Sequence, residues 1–143
     1  MTRIRRRPAL LVPLLLLALI GAAACATTLR DNVRKSAVVA GEVALSIDQT
    51  EQELWAAHPP GYTAEKHQQV NDAMILMLAS VRAYERAARA WPEAMPMPTT
   101  VPQAMMDALA AIATVERIIE GIPGNEKLKA NLARVRATIG GTK

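Results

Sequence analysis

Seven apolar residues in the middle of the chain recur at intervals of 4, 3, 4, 3, 4 and 3 positions. They are Val70, Met74, Met77, Val81, Tyr84, Ala88 and Trp91. Because an α-helix turns every ~3.6 residues, this spacing places all seven on one side of a helix, which has to bury that side against other elements. Thr63 is placed to cap the helix, which we expect to reach about Trp91. Between positions 73 and 81 nearly every residue is apolar, which predicts a central position in the core.

Three other segments have a helical period and clear ends. The first predicted helix runs from Thr27 or Thr28 to about His58, and the third and fourth follow Thr100 and Asn125, which are placed as N-caps. Their predicted buried positions are Val33, Ala40, Ile47 and Leu54; Met105, Leu109, Ile112, Val115 and Ile119; and Leu128, Leu132, Val135 and Ile139. No segment alternates with period two. The sequence therefore predicts an all-α fold, an antiparallel up-and-down bundle of three to four helices after an N-terminal apolar leader.

The first 24 residues have the pattern of an export signal. Four arginines between positions 3 and 7 precede an uninterrupted apolar run at 8–20, and small residues follow at 21–24. A basic start, an apolar centre and a small-residue end direct a chain across a membrane. The arginines stay on the cytoplasmic side. We therefore expect a signal peptide at 1–24 and a helical bundle domain at 25–143.

The only cysteine, Cys25, stands directly after three alanines. With this ending, residues 1–25 resemble the signal peptide of bacterial lipoproteins. The resemblance implies cleavage before Cys25 and a diacylglyceryl group on its thiol, which would hold residues 25–143 at the membrane. One position departs from the family pattern, which prefers Leu where this chain has Ala22. Ala26 stands where the family's inner-membrane signal has Asp, which implies passage to the outer membrane in a host that has one.

Two other interpretations of the leader remain open. Residues 22–24 and 24–26 both fit an A-x-A cleavage pattern, and cleavage there would release a soluble exported domain. Residues 8–29 carry no charge. At ~1.5 Å per residue they are also long enough to cross ~30 Å of hydrocarbon as an uncleaved signal anchor. All three interpretations export the domain.

The charge balance argues against a nucleic-acid partner. The formal net charge is +4, but four of the 17 basic residues lie in the leader, and residues 25–143 carry 13 bases and all 13 acids. Acids cluster in the first predicted helix and bases near the C-terminus; they are Glu42, Asp48, Glu51 and Glu53, and Lys127, Lys129, Arg134, Arg136 and Lys143. We expect these groups to face each other within the bundle. The alternative is that one group meets a partner or anionic lipid head groups.

No catalytic constellation is recognisable, so we predict a protein that is not an enzyme and has no cofactor. There is no second Cys, no His-Glu-x-x-His, no Gly-rich phosphate loop and no Gly-x-Ser-x-Gly. Glu116 and Glu120 share one helix face and are expected to be solvated surface charges. His58 and His67 flank a Pro-Pro-Gly turn, where we expect both to be exposed to solvent.

Two methionines are the only candidates for a metal site. Met95 and Met97 alternate with prolines in the predicted loop after the second helix. Thioethers suit Cu(I), so these two residues would be the ligands of a copper-binding protein. The other interpretation is that methionine serves here as ordinary apolar filling. We predict no metal site.

The function expected from these features is contact rather than chemistry. We expect a membrane-tethered exported lipoprotein that acts as a non-catalytic accessory module of the cell envelope. It would be anchored by lipid on Cys25 to the cell membrane or outer membrane, facing the periplasm or the outside, with an envelope protein as partner. The alternatives are an exported lipoprotein that binds a small ligand or copper, and a phage-type envelope or lysis accessory protein.

Overall fold

The computed structural model describes the backbone of residues 11–93 and 95–141 and the side chains of residues 28–93 and 95–141. Within these residues the chain forms four α-helices and no strand. The helices are α1 (Leu11–Ala56), α2 (Ala64–Ala90), α3 (Thr100–Ile119) and α4 (Glu126–Gly140).

The four helices form a ring in which each packs against two others. Helix α1 contacts α2 and α4, and α3 contacts the same two, whereas the described residues of the diagonal pairs α1–α3 and α2–α4 do not meet. The end of α1 lies beside the starts of both α2 and α4, since Glu51 contacts His67 and Glu53 contacts Lys127. Neighbours are therefore antiparallel, and the predicted all-α, up-and-down bundle is confirmed.

The core is made of one apolar stripe from each helix. All seven residues of the α2 stripe are buried, as are the four predicted for α1 and the four predicted for α4. In α3 the stripe is rotated slightly from the expected one, because Val101 and Ala108 are buried whereas Met105 and Leu109 are only partly buried. Burying apolar surface contributes about 25 cal/mol per Å², so these stripes supply most of the driving force for assembly.

The predicted central position of α2 is wrong. Ile75 is 58% exposed and Leu76 is 66% exposed, although both lie in the segment that is apolar nearly all round. In a ring of four, every helix has only two neighbours and keeps one side toward solvent. Apolar composition alone does not show which sides those are.

Two of the predicted helix starts also differ from the structure. Thr63 does cap α2, where its hydroxyl accepts a hydrogen bond from the Lys66 amide at 3.3 Å. By contrast, Thr99 precedes α3 and makes no side-chain cap hydrogen bond, and Asn125 makes none to α4. The Asn125 side chain instead donates to the carbonyl of Ile119 at 2.6 Å, so it closes the end of α3.

Helix α1 does not begin at Thr27 or Thr28 as expected. Its backbone is helical without a break from Leu11, through Cys25, to Ala56. Neither threonine interrupts the helix. A helix that has already begun upstream propagates through residues that would otherwise act as N-caps.

The register between α1 and α4 leaves part of α1 uncovered. Asn131 donates to Thr50 at 3.0 Å, which sets the two antiparallel helices against each other. Since α4 has 15 residues and both helices rise equally per residue, α4 ends near the level of Ala40. Val39 is consequently 45% exposed, and residues 28–39 depend mainly on α2 for packing.

Over the side chains that the structure describes, no helix is long and apolar enough to span a membrane. The leader at 1–24 and the uncharged segment at 8–27 lie outside that range.

Two adjacent residues of α2 test the ring arrangement. Met77 is fully buried, so Met77→Ala should lower the free energy of unfolding by about 2–5 kcal/mol, through lost burial and the cavity that remains. Leu76→Ala is the matched control, and it should change that free energy by no more than about 0.5 kcal/mol. Urea unfolding measures both. Equal losses would mean that α2 is enclosed on all sides, contrary to the ring.

Candidate functional site

The turn between α1 and α2 is built by the sequence His58-Pro59-Pro60-Gly61. The residue before a proline avoids the helical region, so α1 ends before Pro59. His58 takes a left-handed backbone conformation with φ of 47°, and its amide donates to the Trp55 carbonyl at 3.1 Å. Gly61 also has a positive φ, of 79°, where glycine carries no steric penalty. The chain then reverses directly into α2.

Beneath this turn lies a buried carboxylate. Glu51 is 1% exposed, and one of its oxygens, Oε1, accepts hydrogen bonds from two residues beyond the turn. The donors are the hydroxyl of Tyr62 and Nδ1 of His67, the latter at 2.7 Å. A buried carboxylate is costly unless it is hydrogen-bonded, so these two contacts are what make its position tolerable. They join the last turn of α1 to the start of α2.

Trp55 completes this group, which we call the turn cluster: Glu51, Trp55, Tyr62 and His67. The indole of Trp55 stacks on the imidazole of His67 with ring centres 4.3 Å apart and planes within 9°. Tyr62 meets the same indole edge-on at 5.5 Å. Since Glu51 and Trp55 are four residues apart on α1, they present adjacent side chains to the turn.

The environment of Tyr62 shifts its ionisation. Burial, the hydrogen bond to Glu51 and the negative charge of that carboxylate raise the pKa of Tyr62 well above its ordinary value of 10.0. The physical cause is that the phenolate would be both desolvated and repelled. Tyr62 therefore acts here as a hydrogen-bond donor rather than as a base.

Two expectations about this region are corrected by the structure. His58 is exposed as predicted, but the His67 side chain is only 27% exposed and is held by Glu51 and Trp55. Glu51 is predicted, with the other acids of α1, to face the basic C-terminal segment, yet it is buried and its partners are Tyr62 and His67. Its position in the sequence carried a signal, because Glu51 lies between Ile47 and Leu54 on the apolar stripe, where a charged residue needs a partner.

The predicted meeting of the acidic and basic segments occurs at one point. Lys127 pairs with Glu53 at 2.5 Å, while Arg136 turns to α3 and pairs with Glu116 at 2.7 Å. Glu116 is therefore an ion-paired residue rather than a freely solvated one. Such exposed pairs contribute about 0–1 kcal/mol each, so they adjust the packing of α4 rather than determine it.

The opposite end of the bundle, where the leader joins, is organised by arginines. The guanidinium of Arg34 donates to the carbonyls of Ala88, Arg89 and Trp91 at 3.1, 2.9 and 2.6 Å. These are the last carbonyls of α2, which have no partner within the helix. A cation also suits the negative end of the helix dipole. Arg34 thus connects α1 to the C-terminal end of α2.

Arg30 and Trp91 hold the connection from α2 to α3. Arg30 contacts Asp31 and Glu93, each at 3.4 Å, and its Nε is buried without a hydrogen-bond partner. The indole of Trp91 donates to the carbonyl of Met95 at 2.8 Å. These contacts therefore hold the start of the loop between α2 and α3 in place.

The two candidate copper ligands lie in this loop. Met95 is 55% exposed and Met97 is 37% exposed, so neither thioether is enclosed. Among the described residues no group of three or more His, Cys, Asp or Glu side chains is placed to hold a metal.

The lipidation candidate lies partly beyond what the structure describes. The backbone at Cys25 belongs to α1, but its side chain is outside the described residues.

These contacts define the class of protein as an all-α four-helix bundle with a hydrogen-bonded turn cluster at one end and an arginine-capped leader end at the other. Comparison with protein-family models, with curated proteins and with solved structures finds no match to this chain.

The raised pKa of Tyr62 predicts a loss of stability in alkali. A group whose pKa is higher in the folded state stabilises the fold below its unfolded pKa, here about 10. Above pH 10, the free energy of unfolding should fall by up to about 1.4 kcal/mol per pH unit on account of Tyr62. Urea unfolding between pH 8 and about 11 measures this slope.

The variant Tyr62→Phe isolates the contribution of the Tyr62 hydroxyl to this loss of stability. It should be less stable near pH 7 by about 1–3 kcal/mol, because Glu51 loses one of its two donors, and its stability should fall less steeply above pH 10. Tyr84→Phe removes another buried hydroxyl of the hairpin and keeps the turn cluster intact, so it is the control for the loss of a buried hydroxyl near pH 7. The assignment is wrong if Tyr62→Phe and the wild type lose stability in parallel.

Proposed function

We propose that this chain is an exported lipoprotein whose helical bundle is held at the membrane by lipid on Cys25 and serves there as a non-catalytic interaction module of the cell envelope. The observation that carries the tether is the leader: four arginines, an apolar run and three alanines directly before the only cysteine. In this proposal the lipid-anchored bundle faces the periplasm or the outside. Ala26 favours the outer membrane where the host has one.

The polar contacts of the bundle support a structural rather than a chemical role. The most elaborate polar group, the turn cluster, uses its buried carboxylate to join α1 to α2. Arg34 uses its donors on the end of α2. In both places the hydrogen-bonding groups are directed at other parts of the fold, as expected for residues that hold helices together.

Exposed apolar side chains support a role in contact. Four large apolar residues of the helices are each more than half exposed: Leu45 on α1, Ile75 and Leu76 on α2, and Met106 on α3. Large apolar residues on a surface are a common feature of protein–protein contacts. We therefore propose an envelope protein as the partner of this module.

The tether is tested by the intact mass of the protein extracted from membranes. We expect the mass of residues 25–143 plus lipid, and loss of that lipid in Cys25→Ser. Ala26→Ser is the matched control, because it changes the neighbouring residue to serine and should stay lipidated. An unmodified full-length mass would replace the lipoprotein with a signal anchor at 8–29. A cleaved, lipid-free mass would replace it with a soluble exported domain.

The contact role is tested by photo-crosslinking in cells. A crosslinking residue at Leu45 or Leu76 should give a defined adduct with an envelope protein. The same residue at Ala130, an exposed position of α4, serves as the comparison and should give a weaker adduct or none. Capture of lipid and monomer alone from all three positions would eliminate the interaction role.

A further inference from the structure

Charge is segregated along the bundle even though its total is balanced. We define the leader end as residues 28–40 of α1 together with residues 81–93 of α2 and the turn that follows it; these segments lie side by side, as the contacts of Arg34 with Ala88 and Trp91 show. The bases here are Arg30, Arg34, Lys35, Arg82, Arg86 and Arg89, and the acids are Asp31, Glu85 and Glu93. The leader end therefore has a formal surplus of three positive charges.

The opposite end has a surplus of the other sign. It consists of residues 48–72 and 114–129, which surround the turn cluster and the connection between α3 and α4. Its acids are Asp48, Glu51, Glu53, Glu65, Asp72, Glu116, Glu120 and Glu126, and its bases are Lys66, Arg117, Lys127 and Lys129. Arg136, which pairs with Glu116, adds a fifth base and leaves the end acidic. The bundle is thus polarised, with its positive end where the leader enters and its negative end farthest from it.

The acids of the leader end are already engaged within the fold. Asp31 and Glu93 contact Arg30, and Glu85 pairs with Arg89 at 2.5 Å. Among the described contacts, Lys35, Arg82 and Arg86 have no acidic partner, and all three are exposed. These three cations are the ones that remain available to an external anion.

Apolar side chains accompany one of these cations, Arg82. A shallow groove between α1 and α2, of about 260 Å³, is lined by the apolar residues Val38, Leu45 and Leu78, by Arg82 and Arg89, and by the acids Glu42 and Glu85. Glu85 is paired with Arg89, so Arg82 is the groove cation without an acidic partner among the described contacts. Basic groups beside exposed apolar groups are the combination that binds the interface of an anionic bilayer, where phosphates attract the cations and the acyl boundary accepts the apolar groups.

We propose that the leader end of the bundle, through its α1–α2 side, lies against the anionic head groups of the membrane that holds the leader, with Lys35, Arg82 and Arg86 as the contacting cations. The inference rests on the membrane tether of the proposed function. Cys25 lies in α1 three residues before residue 28, so the tether brings this end, rather than the acidic end, to the bilayer. The acidic end is repelled by the same surface and points away from it.

The test uses the lysines of the protein as reporters, because Lys35 is the only lysine of the leader end and Lys66 and Lys129 lie at the opposite end. The protein as isolated from membranes is reconstituted into phosphatidylcholine vesicles with or without 30% phosphatidylglycerol. Acetylation by a membrane-impermeant reagent is then followed by mass spectrometry. We expect the rate at Lys35, relative to Lys66 and Lys129, to fall at least threefold on the anionic vesicles and to recover in 0.5 M salt.

A double variant tests the contacting arginines. Arg82→Gln with Arg86→Gln should restore the labelling of Lys35 on anionic vesicles. Arg117→Gln with Arg134→Gln removes the same charge from exposed positions on α3 and α4 and should leave Lys35 protected. The inference is overturned if Lys35 reacts equally on both vesicles, or if its protection survives the first double variant. Protection that requires added envelope proteins would also overturn it, in favour of a protein partner.

The proposed function and this inference fail in distinguishable ways. An unlipidated full-length mass removes the lipoprotein proposal, yet a retained anchor still delivers the leader end to the bilayer and gives the same labelling. Lipidated protein with unprotected Lys35 leaves the lipoprotein proposal in place and removes the contact with anionic lipid.

Discussion

The buried carboxylate of Glu51 is the constraint on which the arrangement of α1 and α2 depends. A charge at a 1% exposed position of the apolar stripe is tolerated only with donors, and both donors come from beyond the turn. Tyr62 and His67 can reach it in one register of the hairpin. Sliding α2 along α1 would leave Glu51 buried without a partner, at a cost of several kcal/mol. The carboxylate therefore selects a single register, whereas the apolar stripes alone would tolerate several.

Arg34 applies the same logic at the other end of the hairpin. Its three hydrogen bonds satisfy carbonyls that the end of α2 leaves open, and they do so only when the two helices are aligned as they are. Between these two fixed points the buried side chains of the hairpin are apolar, among them Ala40, Ala44 and Met77. Apolar packing in this middle section stabilises the hairpin. The polar contacts of Glu51 and Arg34 at its two ends determine the register of α1 against α2.

The sequence predicts the number of helices and most of their buried positions. It does not predict which elements surround each helix. Leu128, Leu132, Val135 and Ile139 are buried as their spacing predicted, because periodicity depends only on local geometry. The exposure of Ile75 and Leu76 depends on which neighbours surround α2, and the partners of Glu51 depend on how α2 returns past α1. Periodicity contains neither piece of information. For the same reason His67, which is polar and adjacent to a turn, was expected in solvent.

Folding also separates the positive and negative charges of the chain in space. Residues 25–143 carry equal numbers of acids and bases, which suggests an electrostatically neutral body. Because the up-and-down topology brings residues 28–40 beside residues 81–93, cations that are distant in sequence gather at one end, and acids gather at the other. The folded domain therefore has a positive end, where the leader enters, and a negative end, although its net charge is zero. Within about one Debye length of a charged surface, ~8 Å at physiological salt, such a polarised body is oriented by that surface rather than simply attracted or repelled.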